Sequence, residues 1–180
     1  MTHRPRVATV WLGGCSGCHM SLLDMDERLL DLAQSIDIVY GPLMDVKEFP
    51  ENVDIVLVEG AVANDEHQRQ IQVIRARSAV LVAFGDCAVA GNVTALRNPL
   101  DGTAAVLRRA YLDPPVVSPA VPAEPGVLPA LIDNVLTLRQ CVKVDYYLPG
   151  CPPPADAIFH VLAELVAGRT VELRDRSRIG

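Results

Sequence analysis

The stretch Ile55-Val56-Leu57-Val58 decides the fold class, because four consecutive aliphatic residues fit a strand that is buried on both faces. Short apolar runs of the same kind recur along the chain and alternate with longer stretches of helical periodicity. The runs predict five strands, at residues 7–12, 36–40, 53–58, 79–84 and 142–148. Strands that are buried on both faces in turn predict a parallel sheet.

The helical periodicity predicts three helices, at residues 18–34, 65–77 and 154–167. Strands that alternate with helices indicate a sheet with helices on both faces. We therefore predict a doubly wound, flavodoxin-like α/β fold, formed by a single domain over residues 1–180. The stretch 113–129 holds six of the fourteen prolines, so we expect an extended connection there rather than a central strand.

The composition excludes several classes of function. The 180-residue chain has a formal net charge of −6 and no dense lysine or arginine run, so we do not expect a nucleic-acid partner. No stretch is long and apolar enough to predict a membrane span. Residues 1–6 lack the features of a signal peptide and a twin-arginine pair, so we predict a cytoplasmic protein, in which thiols stay reduced. Five cysteines then indicate metal ligands or small buried residues rather than disulfides.

Four of the five cysteines follow predicted strands. Cys15 and Cys18 follow the first strand, Cys87 follows the fourth, and Cys151 follows the fifth. Because ligands of open α/β sheets bind at the carboxyl ends of the strands, we expect these four thiols at the same edge of the sheet. Cys141 precedes the fifth strand, so we expect it at the opposite edge, about 20 Å away.

Four convergent thiols predict a metal site that holds either zinc or an iron–sulfur cluster. Structural zinc sites typically use two compact Cys-x₂-Cys pairs, and this chain has one, Cys15-Ser16-Gly17-Cys18. Glycines in all three loops would let the backbone approach inorganic sulfides, which favours one [4Fe–4S] cluster. Proline after Cys151 also occurs after the last cysteine of the ferredoxin run. A structural zinc module and ordinary buried cysteines stay open as alternatives.

Taken together, the motifs resemble the cluster-binding domain of [NiFe]-hydrogenase small subunits. The resemblance runs from about residue 6 to residue 167. It is carried by Cys15-Ser16-Gly17-Cys18, Val58-Glu59-Gly60-Ala61, Gly85-Asp86-Cys87-Ala88-Val89-Ala90-Gly91 and Pro149-Gly150-Cys151-Pro152-Pro153. It implies that the ligands of the proximal cluster are Cys15, Cys18, Cys87 and Cys151.

Within this family, the chain is most similar to the small subunit of the soluble, NAD-reducing hydrogenases. Membrane-bound and periplasmic members continue into a second domain with further cysteines and begin with a twin-arginine signal, and the sequence has neither. The resemblance implies a non-catalytic, electron-transfer subunit of a hydrogen:NAD⁺ oxidoreductase. Its partners would be a nickel–iron large subunit, which donates electrons, and a diaphorase module of iron–sulfur and flavin subunits, which accepts them.

A related cluster-binding subunit of a complex I-like or other oxidoreductase is the alternative within the same resemblance. The complex I subunit carries adjacent cysteines, whereas Ser16 and Gly17 separate Cys15 from Cys18 in this chain. The cysteine count supports an auxiliary role, because four of the five are already assigned to the cluster. The chain cannot also supply the four cysteines that a nickel–iron centre needs.

Glu59, His19 and FMN leave questions open. Glu59 closes the third predicted strand, where it could lie near a proton route or an interface, although a helix-capping or solvated role is favoured. His19 could hydrogen-bond a cluster sulfide or be an ordinary surface or core histidine. Glycines after the first strand could cradle the phosphate of FMN, but the cysteines occupy that loop. A flavin would then bind elsewhere on the chain or at its border with the large subunit.

Overall fold

The computed structural model describes residues 4–115 and 117–172. Their central feature is a five-stranded parallel sheet. A second, two-stranded sheet is antiparallel. The strands along the chain are β1 (Arg6–Trp11), β2 (Asp37–Tyr40), β3 (Val53–Glu59), β4 (Val62–Asn64), β5 (Ser78–Phe84), β6 (Leu131–Leu136) and β7 (Tyr146–Leu148).

The order of the parallel sheet is β2-β1-β3-β5-β7, while β4 pairs with β6. Counted within the parallel sheet alone, this is the flavodoxin-like order 2-1-3-4-5. The stretch 55–58 forms the middle of β3, the central strand, and its four residues are buried. The predicted doubly wound α/β fold is therefore confirmed.

Helices cover both faces of the sheet. They are α1 (Gly17–Leu23), α2 (Glu27–Ala33), α3 (Asp65–Arg77), α4 (Asp86–Ala90), α5 (Gly102–Tyr111), α6 (Leu138–Cys141) and α7 (Ala155–Val166), with a 3₁₀ helix at Asn92–Arg97. Successive residues of β3 point to opposite faces. Leu57 packs in the core beneath α1, α2 and α7, while Val56 and Val58 pack in the core beneath α3, α4 and α6. Within the described residues, no helix is long and apolar enough to cross a bilayer.

Helix α3 has the boundaries that the sequence predicts, because its own residues fix both ends. The Asn64 side chain accepts a hydrogen bond from the His67 N–H at 2.7 Å, which caps the N-terminus. Acidic residues in the first turn and arginines in the last turn complement the helix dipole. The buried side chains Ile71 and Ile74 hold the helix against the sheet.

The single helix predicted over residues 18–34 is wrong, because the chain forms α1 and α2 with a break between them. Asp26 has a φ of +50°, a left-handed conformation that no α-helix continues through. The break lets Met25 enter the core, where it is 1% exposed. The helical pattern of the leucines on either side does not indicate this turn.

The fifth strand is shorter than the predicted range 142–148, since only Tyr146–Leu148 pairs with β5. Val142 and Val144 pack against the core without joining the ladder. Between them and the strand, the Asp145 carboxylate accepts the Leu81 N–H at 2.9 Å, in place of a backbone partner. The apolar pattern correctly indicates burial, but only part of it is strand.

The segment between Gly91 and β6 was not predicted to contain helices, yet it holds the 3₁₀ helix and α5. No described residue from 92 to 134 is buried. The predicted proline-rich connection is confirmed, because the described residues of 113–129 form neither helix nor strand. The predicted single domain includes residues 1–3, 116 and 173–180, which lie outside the described residues.

Candidate metal centre

Four cysteines emerge beyond the carboxyl ends of parallel strands, as predicted. Cys15 follows β1, and Cys18 is the second residue of α1; Cys87 is the second residue of α4, directly after β5, and Cys151 follows β7. Burial raises the pKa of the Cys18 thiol, and Glu59 and the three other cysteines raise it further. A Cβ added at Gly85, two residues before Cys87, would lie 2.1 Å from Cys18 Sγ and 3.6 Å from the Gly150 oxygen, so the loops that carry Cys18, Cys87 and Cys151 meet here.

The thiols differ in their access to solvent. Cys18 is buried, Cys87 is partly buried, and Cys15 and Cys151 are exposed. Burial raises the pKa of Cys87, as do Cys15 and Cys151, while hydrogen bonds with Thr94 oppose this shift. The group therefore opens to the protein surface on the side of Cys15 and Cys151. Among the described residues, no three His, Cys, Asp or Glu side chains are arranged to hold a single metal ion.

The loops after β1 and β3 interlock through glycines. Gly13 and Ala61 exchange backbone hydrogen bonds of 2.9 and 2.8 Å. Gly60 has a φ of +91°, and a Cβ added there would lie 2.9 Å from the Gly13 backbone. A Cβ added at Gly13 would lie 2.8 Å from the Ala61 oxygen. Only glycine fits at either position, so these residues hold the Cys15 loop against the end of β3.

Glu59 lies beneath that loop and is 2% exposed. Its Oε2 accepts the backbone N–H of His19 at 3.0 Å and also contacts His19 Nδ1. His19 is in the first turn of α1, so Glu59, at the end of β3, caps the N-terminus of this helix. The helix-capping role expected for Glu59 is confirmed, while the solvated role is wrong, because the side chain is buried. His19 is an almost buried residue that binds this carboxylate through its ring.

Asp86 joins the Cys87 and Cys151 loops. Its carboxylate accepts the Gly150 N–H at 2.6 Å, and its own N–H donates to the Gly150 oxygen at 2.9 Å. Ser21 adds a link from α1, because its hydroxyl donates to the Pro153 oxygen at 2.5 Å. All three cysteine loops are thus fastened to one another by buried hydrogen bonds.

The cysteine pattern on this fold agrees with a known family. Residues 15–165 match the family described as NADH ubiquinone oxidoreductase, 20 Kd subunit. The chain belongs to this 20 kDa subunit family.

Relatives in this family include subunits of hydrogenases. The chain is 40% identical over 172 residues to the delta subunit of the NAD-reducing hydrogenase HoxS of Cupriavidus necator, covering 93% of this chain and 81% of that protein. It is 38% identical over 181 residues to a subunit of the F420-non-reducing hydrogenase of Methanothermobacter marburgensis, covering 96% of this chain. It spans only 57% of the length of that relative.

A solved structure gives the same answer for the fold. A chain in the crystal structure of NAD⁺-reducing [NiFe]-hydrogenase in the H₂-reduced state superposes with a TM-score of 0.93 and 38% identity. The match covers 99% of this chain and 100% of that one. The predicted resemblance to small subunits of NAD-reducing [NiFe]-hydrogenases is therefore confirmed.

The surroundings of the thiols in this 20 kDa subunit family member fit an iron–sulfur cluster. Thiolates are the ligands that such clusters use. The Gly17 N–H donates to Cys15 Sγ at 3.4 Å, the kind of hydrogen bond that tunes a ligand sulfur. A Cβ added at Gly85 would lie 2.1 Å from Cys18 Sγ, so the backbone approaches this thiol more closely than any side chain would allow.

Cys141 stands apart from this group, although it lies on the α3 face of the sheet and not at the opposite edge that the sequence predicts. It is the last residue of α6 and packs beside the core on the α3 side of the sheet. Its backbone oxygen accepts a hydrogen bond from Gln72 at 3.0 Å. Burial alone raises the pKa of Cys141, with no contribution from another cysteine.

An apolar cavity beside the Cys15 loop is a feature that no sequence pattern predicts. The cavity has a volume of about 400 Å³ and is lined mainly by aliphatic side chains from β1, β2, α1 and α2. Trp11 and Met20 stand at this cavity and are 46% and 58% exposed. Large exposed apolar side chains next to a functional group typically mark an interaction surface. The sequence of α1 does not show which of its apolar residues stay exposed at the cavity, because that depends on how the helix packs on the sheet.

Proposed function

We propose that this chain is the electron-transfer subunit of a cytoplasmic, NAD-reducing [NiFe]-hydrogenase. The proposal gives it one [4Fe–4S] cluster, held by Cys15, Cys18, Cys87 and Cys151. Four neighbouring thiols beyond three strands of a hydrogenase-like fold are the observation that carries it. When bound, a cluster of this type supplies one-electron redox chemistry. The residues of the chain supply thiolate ligands, backbone N–H donors and a partly water-excluding wall.

The proposed partners are a nickel–iron large subunit and a diaphorase module. Cys15 and Cys151 lie at the surface, so a docked partner can come close to the cluster. The exposed apolar side chains Trp11, Met20 and Leu43 adjoin the Cys15 loop through the cavity that they line. We therefore place an obligate interface at the cysteine edge, with a total buried area above ~2,000 Å². Electrons then pass from the large subunit through this one cluster to the diaphorase.

The alternatives are less well supported. Zinc would also bind thiolates, but the relatives with which this chain shares 38–40% identity are hydrogenase subunits. The family also includes the complex I subunit after which it is described. The spaced cysteines Cys15 and Cys18 favour the hydrogenase branch over that subunit.

The test uses the assembled enzyme, purified without oxygen. We expect about four irons for each copy of this chain beyond those of its partners, and a broad visible absorption band that bleaches on reduction. A colourless chain that contains zinc would contradict the proposal. Removal of the diaphorase module should abolish hydrogen-driven NAD⁺ reduction and spare hydrogen-driven dye reduction. Equal loss of both activities, with the large subunit still assembled, would contradict the proposed route.

FMN is a lesser proposal for the same chain. The apolar cavity of about 400 Å³ has Ser16, His19 and Trp11 at one end, which suits a flat ring with polar edges. No lysine or arginine is among the described residues that line it, so a phosphate would depend on backbone N–H groups. Flavin released from the complex after removal of the diaphorase module, measured by fluorescence, would support this site. Its absence would remove FMN from the proposal and leave the cluster unaffected.

A further inference from the structure

Glu59 is a buried carboxylate that belongs to the surroundings of the cysteines but cannot be one of the four thiolate ligands. It ends β3, the central strand, and is 2% exposed. A Cβ added at Gly14 would lie 3.4 Å from Glu59 Oε1, so the carboxylate lies directly under the loop that carries Cys15. Few carboxylates are buried in this way without a structural or functional reason.

The first contribution of Glu59 is to the geometry of α1. Ser16 precedes this helix with a φ of +65°, and within the described residues its side chain makes no capping hydrogen bond. The N–H groups of the first turn therefore lack a local side-chain acceptor. Glu59 supplies one, because its Oε2 accepts the His19 N–H at 3.0 Å. Cys18 lies one residue before His19, so this hydrogen bond fixes the turn from which the Cys18 thiol projects.

The second contribution is charge. A carboxylate accepts hydrogen bonds and does not donate them, so the His19 Nδ1 that faces Oε2 carries the proton. The ring is held in place by an edge contact with Phe84, whose ring centre is 5.9 Å away. Because the Glu59 side chain is only 2% exposed, water and salt screen its charge weakly.

We propose that Glu59 is a positioning residue that fixes the Cys18 turn and also holds the reduction potential of the cluster low through its negative charge. This inference rests on the proposed function, since it concerns the cluster on the four cysteines. An added electron is repelled by a nearby fixed negative charge, so the carboxylate disfavours the reduced cluster. A lower potential favours delivery of electrons to an acceptor whose own couple has a low potential, as NAD⁺/NADH does.

The experiment separates charge from shape with two variants of the assembled enzyme. Glu59→Gln keeps the size of the side chain and one oxygen acceptor for the His19 N–H but removes the charge. Glu59→Asp keeps the charge and shortens the side chain. An EPR-monitored redox titration measures the midpoint potential of the cluster, and iron analysis measures its occupancy.

We expect Glu59→Gln to retain its iron and to shift the midpoint potential upward. Glu59→Asp should stay near the wild-type potential even where its iron content falls. Asp145→Asn is the matched control, because it removes another carboxylate that accepts a backbone N–H, just before the start of β7. It should destabilise the fold without a change in potential.

Two results would overturn the inference. One is an unchanged midpoint potential in Glu59→Gln, which would result if a positive charge on His19 already cancelled the charge of Glu59. The other is the same upward shift in Glu59→Gln and Glu59→Asp, which would assign the effect to shape. If Glu59→Gln fails to assemble, a Glu59→Asp potential displaced upward from the wild type also overturns it. Absence of any iron–sulfur EPR signal from this chain in the wild-type enzyme would instead refute the proposed function.

Discussion

Replacement of Gly85 with alanine should expel the cluster at a moderate cost to the fold. Gly85 has a φ of +84°, where alanine costs about 1–2 kcal/mol. The added Cβ would lie 2.1 Å from Cys18 Sγ. Non-bonded atoms rest about 3.5–4.0 Å apart, so the sulfur must move by roughly 1.5 Å. Overpacking of a buried site costs about 1–3 kcal/mol, which gives a total of about 2–5 kcal/mol.

The assay compares iron content, visible absorption and thermal unfolding of the anaerobically purified complex. For a chain of this length, about 2–5 kcal/mol lowers Tm by roughly 5–20 °C. Gly126→Ala is the matched control, because Gly126 has a φ of +81° and no described atom lies within 4 Å of its added Cβ. Its Tm should fall only by the amount that backbone strain causes, and its iron content should equal that of the wild type. A Gly85→Ala variant with wild-type iron content and an unchanged spectrum would refute the reasoning.

The cysteines, Asp145 and the exposed face of α1 each give a further prediction. Serine at any of the four proposed ligands should lower iron content and alter the EPR signal, because oxygen is a poorer ligand for iron than a thiolate; Cys141→Ser should cost only about 1–2 kcal/mol and leave both unchanged. Loss of the cluster in Cys141→Ser would contradict the assignment. Asp145→Asn should lower stability by about 1.5–3 kcal/mol at neutral pH. Burial raises the pKa of Asp145, but hydrogen bonds, that from Arg75 among them, outweigh it and hold the pKa below its usual value. A lowered folded-state pKa contributes stability that is fully present above the unfolded value of about 3.9 and is lost as pH falls through the folded pKa, so the wild-type advantage in Tm should vanish in stronger acid. An advantage that persists there would contradict this origin. Met20→Glu should weaken assembly with the large subunit in co-purification, whereas Leu30→Glu, at a residue 69% exposed and away from the cavity, should not; equal effects would place the interface elsewhere.

The parallel sheet could be predicted because both faces of its central strands are buried in the same apolar surroundings. A central strand such as Val53–Glu59 is buried on both faces, so almost every residue must be apolar, and the pattern is visible without a partner. The ends of α3 were predictable for a related reason, since Asn64, its acidic first turn and its terminal arginines are all local.

The misjudged elements depend on contacts that are distant in sequence. The turn at Asp26 brings Met25 into the core that α1, α2 and α7 cover, and apolar periodicity does not predict such a turn. Likewise, β7 starts late because Asp145 takes the place of a backbone partner for Leu81, 64 residues away. A pattern of alternating apolar residues predicts burial. It does not show whether a segment pairs in the sheet or packs on the core as a loop, because that depends on its hydrogen-bond partners.

The same distinction divides the candidate site. The cysteines could be assigned to one edge because topology alone brings the carboxyl ends of parallel strands together. The carboxylates could not be assigned, since Glu59 acts on His19 across 40 residues and Asp86 acts on Gly150 across 64. Each carboxylate ends or follows a strand, immediately before a glycine or a cysteine of a motif. In a parallel α/β protein, we therefore expect an acidic residue at that position to link the loops that carry the ligands through hydrogen bonds. Its charge then acts on the group that those loops bind.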